Sequence, residues 1–296
     1  MTKDHSLKRS VSVVLPAYNE EDGIQDVLSA LRAAFDAARG RLIAEYEILV
    51  VDDGSKDGTA EIAEKSGARV IRHPTNMGYG KSLLTGFDEA RFDWLLTLDA
   101  DGSYSADDAV ALLGESPDFD MVVGARQGSF FWGNPGRALL RRLYLMLASF
   151  VAGYKVPDAN SGIRLIRKTS MVKTMPVLCL GYSLSTTMTL SFLQAGRFVK
   201  FFPVSYLARK GKSKVSLPRD ILRTLQIMVQ VILYYNPLKF AVVLTMIPLA
   251  FAAMFAAQLA YWPTFGELAM LTLSLLCALA VFIFGCLLES QRLHNK

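Results

Sequence analysis

The chain has 296 residues, 52% of them hydrophobic, with 32 basic against 27 acidic side chains and a net charge of +5. Its mean hydropathy of +0.28 is high for a soluble globule. The excess gathers beyond Leu238, so an evenly oily soluble protein is excluded and membrane segments are indicated. Met1 to Ser10 is polar and lacks an apolar core, so no cleavable signal peptide is expected. Three cysteines (Cys179, Cys277, Cys286) are an odd number without metal-ligand spacing, which fits a reducing, cytosolic side for the N-terminal portion.

Ser10 to Pro16 is a β-branched run suited to a buried parallel strand, stopped by Pro16-Ala17-Tyr18-Asn19-Glu20. Glu21 to Ala38 carries apolar residues at helical spacing, from Ile24 to Phe35. Tyr46 to Val51 reads as a second strand ending in Asp52-Asp53-Gly54-Ser55, and a helix then runs through Lys65 with Thr59 as its N-cap. Ala68 to Arg72 is a third strand, and Asn76-Met77-Gly78-Tyr79-Gly80 leads into a helix from Lys81 to Ala90. The strand from Trp94 empties into Asp99-Ala100-Asp101-Gly102-Ser103. Met121 to Ala125 is a strand ending at Arg126, and a basic helix with Arg137, Arg141 and Arg142 follows. Pro157 to Lys168 is a loop returning to a strand, Phe198 to Leu207 is strand-like, and Ala208 to Ser216 is a basic loop. Strands alternating with helices predict an α/β fold with a mostly parallel sheet covered on both faces.

Pro218 to Tyr235 has an amphipathic, basic pattern that predicts a helix lying in a membrane interface. Residues 240–262 and 268–288 contain no charged side chain, and each is long enough to cross a hydrocarbon core of about 30 Å. Basic residues precede the first span (Lys239) and follow the second (Arg292, Lys296), while the tip has none. The positive-inside rule therefore predicts both termini in the cytoplasm. The expected division is a catalytic domain over 1–217, a juxtamembrane helix over 218–237 and a helical hairpin over 238–296.

Three acidic or glycine-rich strand ends fall on one edge of such a sheet, where open α/β sheets bind ligands. Asp99 and Asp101 offer hard oxygen ligands suited to Mg²⁺ or Mn²⁺ held together with a substrate's phosphates, although Asp and Gly are also ordinary turn residues. Gly78-x-Gly80 lacks the third glycine of a dinucleotide fingerprint, and Thr75 stands where a P-loop needs its first glycine. A nucleotide-diphosphate-sugar site with a metal between diphosphate and acids fits what remains.

Val13-Val14-Leu15-Pro16-Ala17-Tyr18-Asn19-Glu20, Val51-Asp52-Asp53-Gly54-Ser55-Lys56-Asp57-Gly58-Thr59 and Asp99-Ala100-Asp101 together resemble the inverting family-two glycosyltransferases of GT-A fold. Asn160-Ser161-Gly162-Ile163-Arg164 and Gly211-Lys212-Ser213-Lys214 resemble the polyprenyl-phosphate (dolichyl-phosphate mannose synthase-like) members, and the two-helix tail resembles their bacterial type. The resemblance covers about residues 10 to 240 and implies transfer of a sugar from a UDP- or GDP-sugar to a polyprenyl phosphate, undecaprenyl phosphate in a bacterium.

It further implies that Pro16, Tyr18, Glu20 and Asp52 hold base and ribose, with Asn76, Gly78 and Gly80 beside the nucleotide. Asp99, Asp101 and Ser103 would hold the metal, Asp101 touching the sugar diphosphate as well. Arg126 and Arg137 would meet the acceptor phosphate, and Ser213 and Lys214 lie in a loop expected to close over the site. Ser103 is a departure, because related synthases often continue Asp-x-Asp with Leu-Gln. A mostly dianionic phosphate acceptor needs positioning by arginines rather than a strong base, whereas a hydroxyl acceptor needs a carboxylate, for which Asp158 is a weak candidate.

The expected location is the inner membrane, multi-pass, with a separate flippase and a downstream transferase as partners, a homo-oligomer possible and no nucleic acid. A processive polysaccharide synthase would carry Gln-x-x-Arg-Trp, and no tryptophan here follows an arginine. A membrane adaptor with a degenerate transferase domain is the remaining alternative.

Overall fold

The structure is a computed structural model that describes residues 8–174, 184–207 and 217–294. The chain divides into two compact units, Met1–Ile227 and Met228–Lys296.

The first unit is built on seven strands: β1 (Arg9–Ala17), β2 (Ile43–Asp52), β3 (Arg69–Arg72), β4 (Trp94–Thr97), β5 (Met121–Gln127), β6 (Arg164–Arg167) and β7 (Val199–Ser205). They lie side by side in the order β3-β2-β1-β4-β6-β5-β7. β3, β2, β1 and β4 pair in parallel, β6 runs against both β4 and β5, and β5 pairs in parallel with β7. The strand predicted after Pro157 is therefore the one that reverses direction.

Consecutive strand residues point to opposite faces, and β1 is apolar on both. Val11, Val13 and Leu15 pack under α1 (Ile24–Ala38) and α4 (Ala106–Gly114). Val14 packs with Val51 and Leu95 under α3 (Tyr79–Glu89) and α8 (Leu184–Gln194). Helices cover both faces, and Ala17, Asp52 and Leu98 deliver their loops to one edge of the sheet; Ala17 is in register with Asp52 and Val14 with Thr97. The remaining helices of this unit are α2 (Thr59–Lys65), α5 (Ser129–Trp132), α6 (Pro135–Ala152) and α7 (Lys168–Thr174). Thr59 is the first residue of α2 rather than its cap: Gly58 holds the cap position without a side-chain bond.

α9 (Leu217–Tyr235) runs across the boundary between the units. The second unit then contains α10 (Pro237–Tyr261) and α11 (Phe265–His294), with mean hydropathies of 2.3 and 2.6 over their most apolar windows. Both helices are long and apolar enough to cross a membrane. α10 starts where Asn236 accepts the Lys239 amide at 3.0 Å and Pro237 occupies the first turn. α10 and α11 approach closely at Gly285, where an added Cβ would run into the Ala241 side chain. Thr245 and Ser274 turn their hydroxyls back to the carbonyls of Ala241 and Met270, which satisfies them without water.

Candidate functional site

A cavity of about 270 Å³ opens at the strand-end edge. Its walls come from the segments that follow β1, β2, β3, β4, β5 and β7, from the loop before β6 and from the start of α8.

The loops after β1 and β2 are knitted together. Asn19 takes a positive φ of 50°, its amide donates to Ser55 Oγ at 2.9 Å, and its Oδ1 accepts the Lys56 amide at 2.9 Å. The Glu20 amide donates to Thr59 Oγ1 at 2.8 Å, and Glu21 accepts the Gly58 amide at 2.9 Å. Much of the first two motifs is thus scaffolding that presents Pro16, Tyr18 and Glu20 to the cavity. Asp52 is buried behind that wall with Oδ1 on the Ser55 amide. Its neighbour Asp53 lines the cavity and clamps the amides of Met77 (2.9 Å) and Gly78 (2.8 Å), which brings Asn76 and Gly78 into the opposite wall. Gly80, expected beside the nucleotide, is buried in the first turn of α3.

β4 ends at Thr97, so Asp99 and Asp101 lie on the turn beyond it, with Gly102 at φ +74° closing that turn. Both carboxylates line the cavity. The Tyr79 hydroxyl donates to Asp99 Oδ1 at 3.0 Å, and Gly162 packs so tightly that an added Cβ would collide with the Asp99 carboxylate. Burial, reinforced by the charge of Asp101, pushes the Asp99 carboxyl up to about 6. Ser103 is buried beside Asp101, and its amide and hydroxyl both donate to Asp101 Oδ1.

On the far side, Arg126 at the end of β5 lines the cavity and forms a two-pronged ion pair with Asp158, Nε to Oδ2 at 2.7 Å and Nη2 to Oδ1 at 3.0 Å. Nη2 also donates to the Asn160 carbonyl at 3.0 Å. Among the described residues no partner takes Nη1. Phe131 lies between two guanidinium groups, Arg126 at 5.2 Å and Arg141 at 4.3 Å from its ring. Burial and the charge of Arg126 lower the pKa of Arg141. Arg137 stands on the exposed first turn of α6, where its amide bonds the Asn134 cap, and does not line the cavity. Ser213 and Lys214 lie outside the described residues.

Several residues of the site carry no local sequence signal. Tyr79 and Tyr104 come from a helix start and a loop, and Tyr104 Oη accepts the Gly162 amide at 2.9 Å. Arg164 is 0% exposed and has no carboxylate partner among the described residues; it donates to the carbonyls of Ser161 and Ser185 instead, and burial lowers its pKa. Charge and motif spacing flag Arg164, but not that the Ser161 and Ser185 carbonyls and the Thr189 hydroxyl hold it.

The carboxylate pair fits a divalent cation, since two acids close enough to raise one pKa call for a positive charge between them. No group of three potential metal-ligating side chains occurs among the described residues. A cation here would complete its shell from a bound diphosphate and water.

The profile of Glycosyl transferase family 2 matches residues 12–173. The chain belongs to that family. Among curated relatives, the transferase is 30% identical to the low-salt glycan biosynthesis hexosyltransferase Agl6 of Haloferax volcanii, covering 73% of this chain and 52% of that one. It is 32% identical to the undecaprenyl-phosphate 4-deoxy-4-formamido-L-arabinose transferase of Edwardsiella ictaluri (71% and 64% covered). It is 27% identical to the undecaprenyl-phosphate mannosyltransferase of Micrococcus luteus (70% and 87% covered). The chain thus spans only about half to two thirds of the first two relatives. Glucosyl-3-phosphoglycerate synthase of Mycobacterium tuberculosis, solved with Mn²⁺ and UDP-glucose, aligns with a TM-score of 0.57 at 23% identity, covering 74% of this chain and 79% of that one. The transferase has the GT-A fold, followed by two helices able to span a membrane.

Proposed function

We propose that this transferase moves a sugar from a nucleotide-diphosphate sugar to a polyprenyl phosphate, undecaprenyl phosphate, at the cytoplasmic membrane face. The observation that carries the reading is the pairing of Arg126 and Arg141 about Phe131, at the edge of a cavity whose other side holds Asp99 and Asp101. A phosphate acceptor needs cations and no base. Asp158, the candidate base for a hydroxyl acceptor, has both oxygens committed to Arg126. The relatives named as undecaprenyl-phosphate transferases support the same acceptor class.

In this reading Pro16, Tyr18, Glu20, Asn76 and Gly78 form the walls around the nucleotide. Asp99 and Asp101 would hold a divalent cation, whose charge would offset that of the donor's diphosphate; Mn²⁺ in the mycobacterial structure supports a divalent ion of that kind. Arg126 and Arg141 hold the acceptor so that a phosphate oxygen forms its bond to the anomeric carbon as the bond from that carbon to the donor's diphosphate oxygen breaks. The nucleoside diphosphate leaves with the electron pair, and a single displacement inverts the anomeric centre. Ser213 and Lys214 are proposed to close over the donor.

The lipid would reach this point along α5 and α6, where Phe130, Leu139, Leu143 and Met146 are all exposed beside Arg137 and Arg142. An exposed apolar stripe edged by arginines suits an interface with anionic headgroups. The basic flanks of the two spans support a topology with both termini in the cytoplasm. Residues 1–217 are proposed as the catalytic domain, 218–237 as an interfacial helix and 238–296 as the anchor. Two spans are too few to carry the product across, which leaves that step to a separate flippase and the next transfer to another enzyme.

The test is transfer from radiolabelled UDP- and GDP-sugars to undecaprenyl phosphate in detergent with Mg²⁺, Mn²⁺ or EDTA, with Asp101→Ala beside the wild type. A metal-dependent glycolipid from one donor, absent in the variant, is the expected result. Glycolipid formation equal in both proteins would sink the reading.

A further inference from the structure

We infer that His73 is a positioning residue for the donor, acting through Asp53 on the Asn76–Tyr79 wall of the cavity; this rests on the donor reading above. His73 follows β3, and its amide donates to the Asp52 carbonyl at 2.8 Å, which extends the β2–β3 pairing by one bond. The ring turns inward and is 9% exposed, yet it does not line the cavity. Its Nδ1 lies 2.8 Å from Asp53 Oδ1 and its Nε2 lies 3.0 Å from Thr85 Oγ1 on α3. An ionised carboxylate carries no proton, so Nδ1 is the donor in the first contact, and the Thr85 hydroxyl fixes the other edge of the ring.

Asp53 thereby has a set orientation. Oδ1 takes His73 and the Met77 amide, and Oδ2 takes the Gly78 amide. The segment it holds does not rest there by its own preferences. Gly78 adopts φ +93° with ψ 158°, a conformation close to exclusive to glycine, and the backbone of Thr75 crosses Gly54 so closely that an added Cβ would sit 2.8 Å from the Thr75 carbonyl carbon. Immediately beyond Gly78, Tyr79 reaches Asp99. Thr85, His73, Asp53, Gly78, Tyr79 and Asp99 therefore form one bonded series from the buried side of α3 to the carboxylate pair. Removing the ring frees the Asp53 carboxylate to turn, and the wall that meets the donor loses its fixed position while the chemistry of Asp101 and Arg126 is untouched.

The experiment measures UDP and GDP binding, with Mn²⁺, to the full-length chain in detergent by calorimetry, alongside thermal midpoints. His73→Leu removes the donor; His73→Asn keeps an N–H where Nδ1 stands; Thr85→Val removes only the outer support. Whichever nucleotide the wild type binds, His73→Leu is expected to weaken it about tenfold, and His73→Asn to recover to within about threefold. Wild-type affinity in His73→Leu with a lowered thermal midpoint would overturn the inference and leave the donor reading standing. Binding of neither nucleotide by the wild type would overturn both. Should the leucine variant not fold, His73→Asn and Thr85→Val decide: each is expected to weaken binding about twofold to threefold at an unchanged midpoint, and wild-type affinity in both overturns the inference.

Discussion

Asp99 has a carboxyl held near 6 by burial and by Asp101, so a cation entering the pair competes with a proton. Mn²⁺ affinity of the full-length protein is expected to rise between about pH 5.5 and pH 7.5, with proton release on binding at the acid end, visible as buffer-dependent heats in calorimetry. The sign for stability is opposite. The folded pKa lies above the ordinary 3.8, so the folded state holds the proton longer, and the metal-free protein loses stability as pH rises from about 3.8 to about 6. Addition of Mn²⁺ at neutral pH is expected to restore the thermal midpoint. Tyr79→Phe removes the hydroxyl that steadies Asp99; a hydrogen bond to a charged group is worth about 1.5–3 kcal/mol, and the expected outcome is a transfer rate lowered about tenfold with the fold intact by circular dichroism.

At the scale of elements, the Arg126–Asp158 pair fastens the end of β5 to the loop before β6. Both side chains are largely buried, and removing one partner strands the other, so Asp158→Ala is expected to cost about 3–5 kcal/mol, read as a fall in denaturant midpoint. What the sequence discloses stops close to this scale. Strands β1, β2 and β4 were legible because buried parallel strands read as unbroken apolar runs, and their acidic ends were legible because nothing else in an apolar run explains Asp52 or Asp99. α8 was not legible. Ser185, Thr186, Thr187, Thr189 and Ser191 are buried on a helix whose apolar and polar residues are buried alike, so no amphipathic contrast marks it, and Thr189 is accommodated by the Ser185 carbonyl one turn back. The partners of Arg126 and Asp53 escaped because they lie 32 and 20 to 25 residues away, and no local pattern encodes such a pairing. Ser103 reads as a ligand because hydroxyls can ligate; its bonds to Asp101 are seen only in the structure.

At the scale of the whole molecule, the two apolar helices are packed at small residues, and Gly285→Val forces a side chain into Ala241. The expected outcome is a lower thermal midpoint in detergent together with unchanged nucleotide affinity, because nothing in the catalytic unit changes. The proposed topology has its own check. Cys277 and Cys286 are exposed on α11, so these two and Cys179 are first replaced by serine and a single cysteine is put at Thr264 between the helices. An impermeant maleimide added to intact cells is expected to label it, whereas labelling only after lysis would reverse the orientation.

The reversed strand β6 divides the sheet into two blocks, β3-β2-β1-β4 on one flank and β5-β7 on the other, each internally parallel. The first block supplies the loops around the carboxylates, and the second supplies Arg126 and leads into α5 and α6. On the proposed reading a seam of that kind would make the enzyme divisible by function, with recognition of what gives the sugar and of what receives it on separate pieces of backbone either side of one strand. Graft the run from β5 through α6 of a relative with another lipid preference, and acceptor choice should change hands while the nucleotide preference stays with the host.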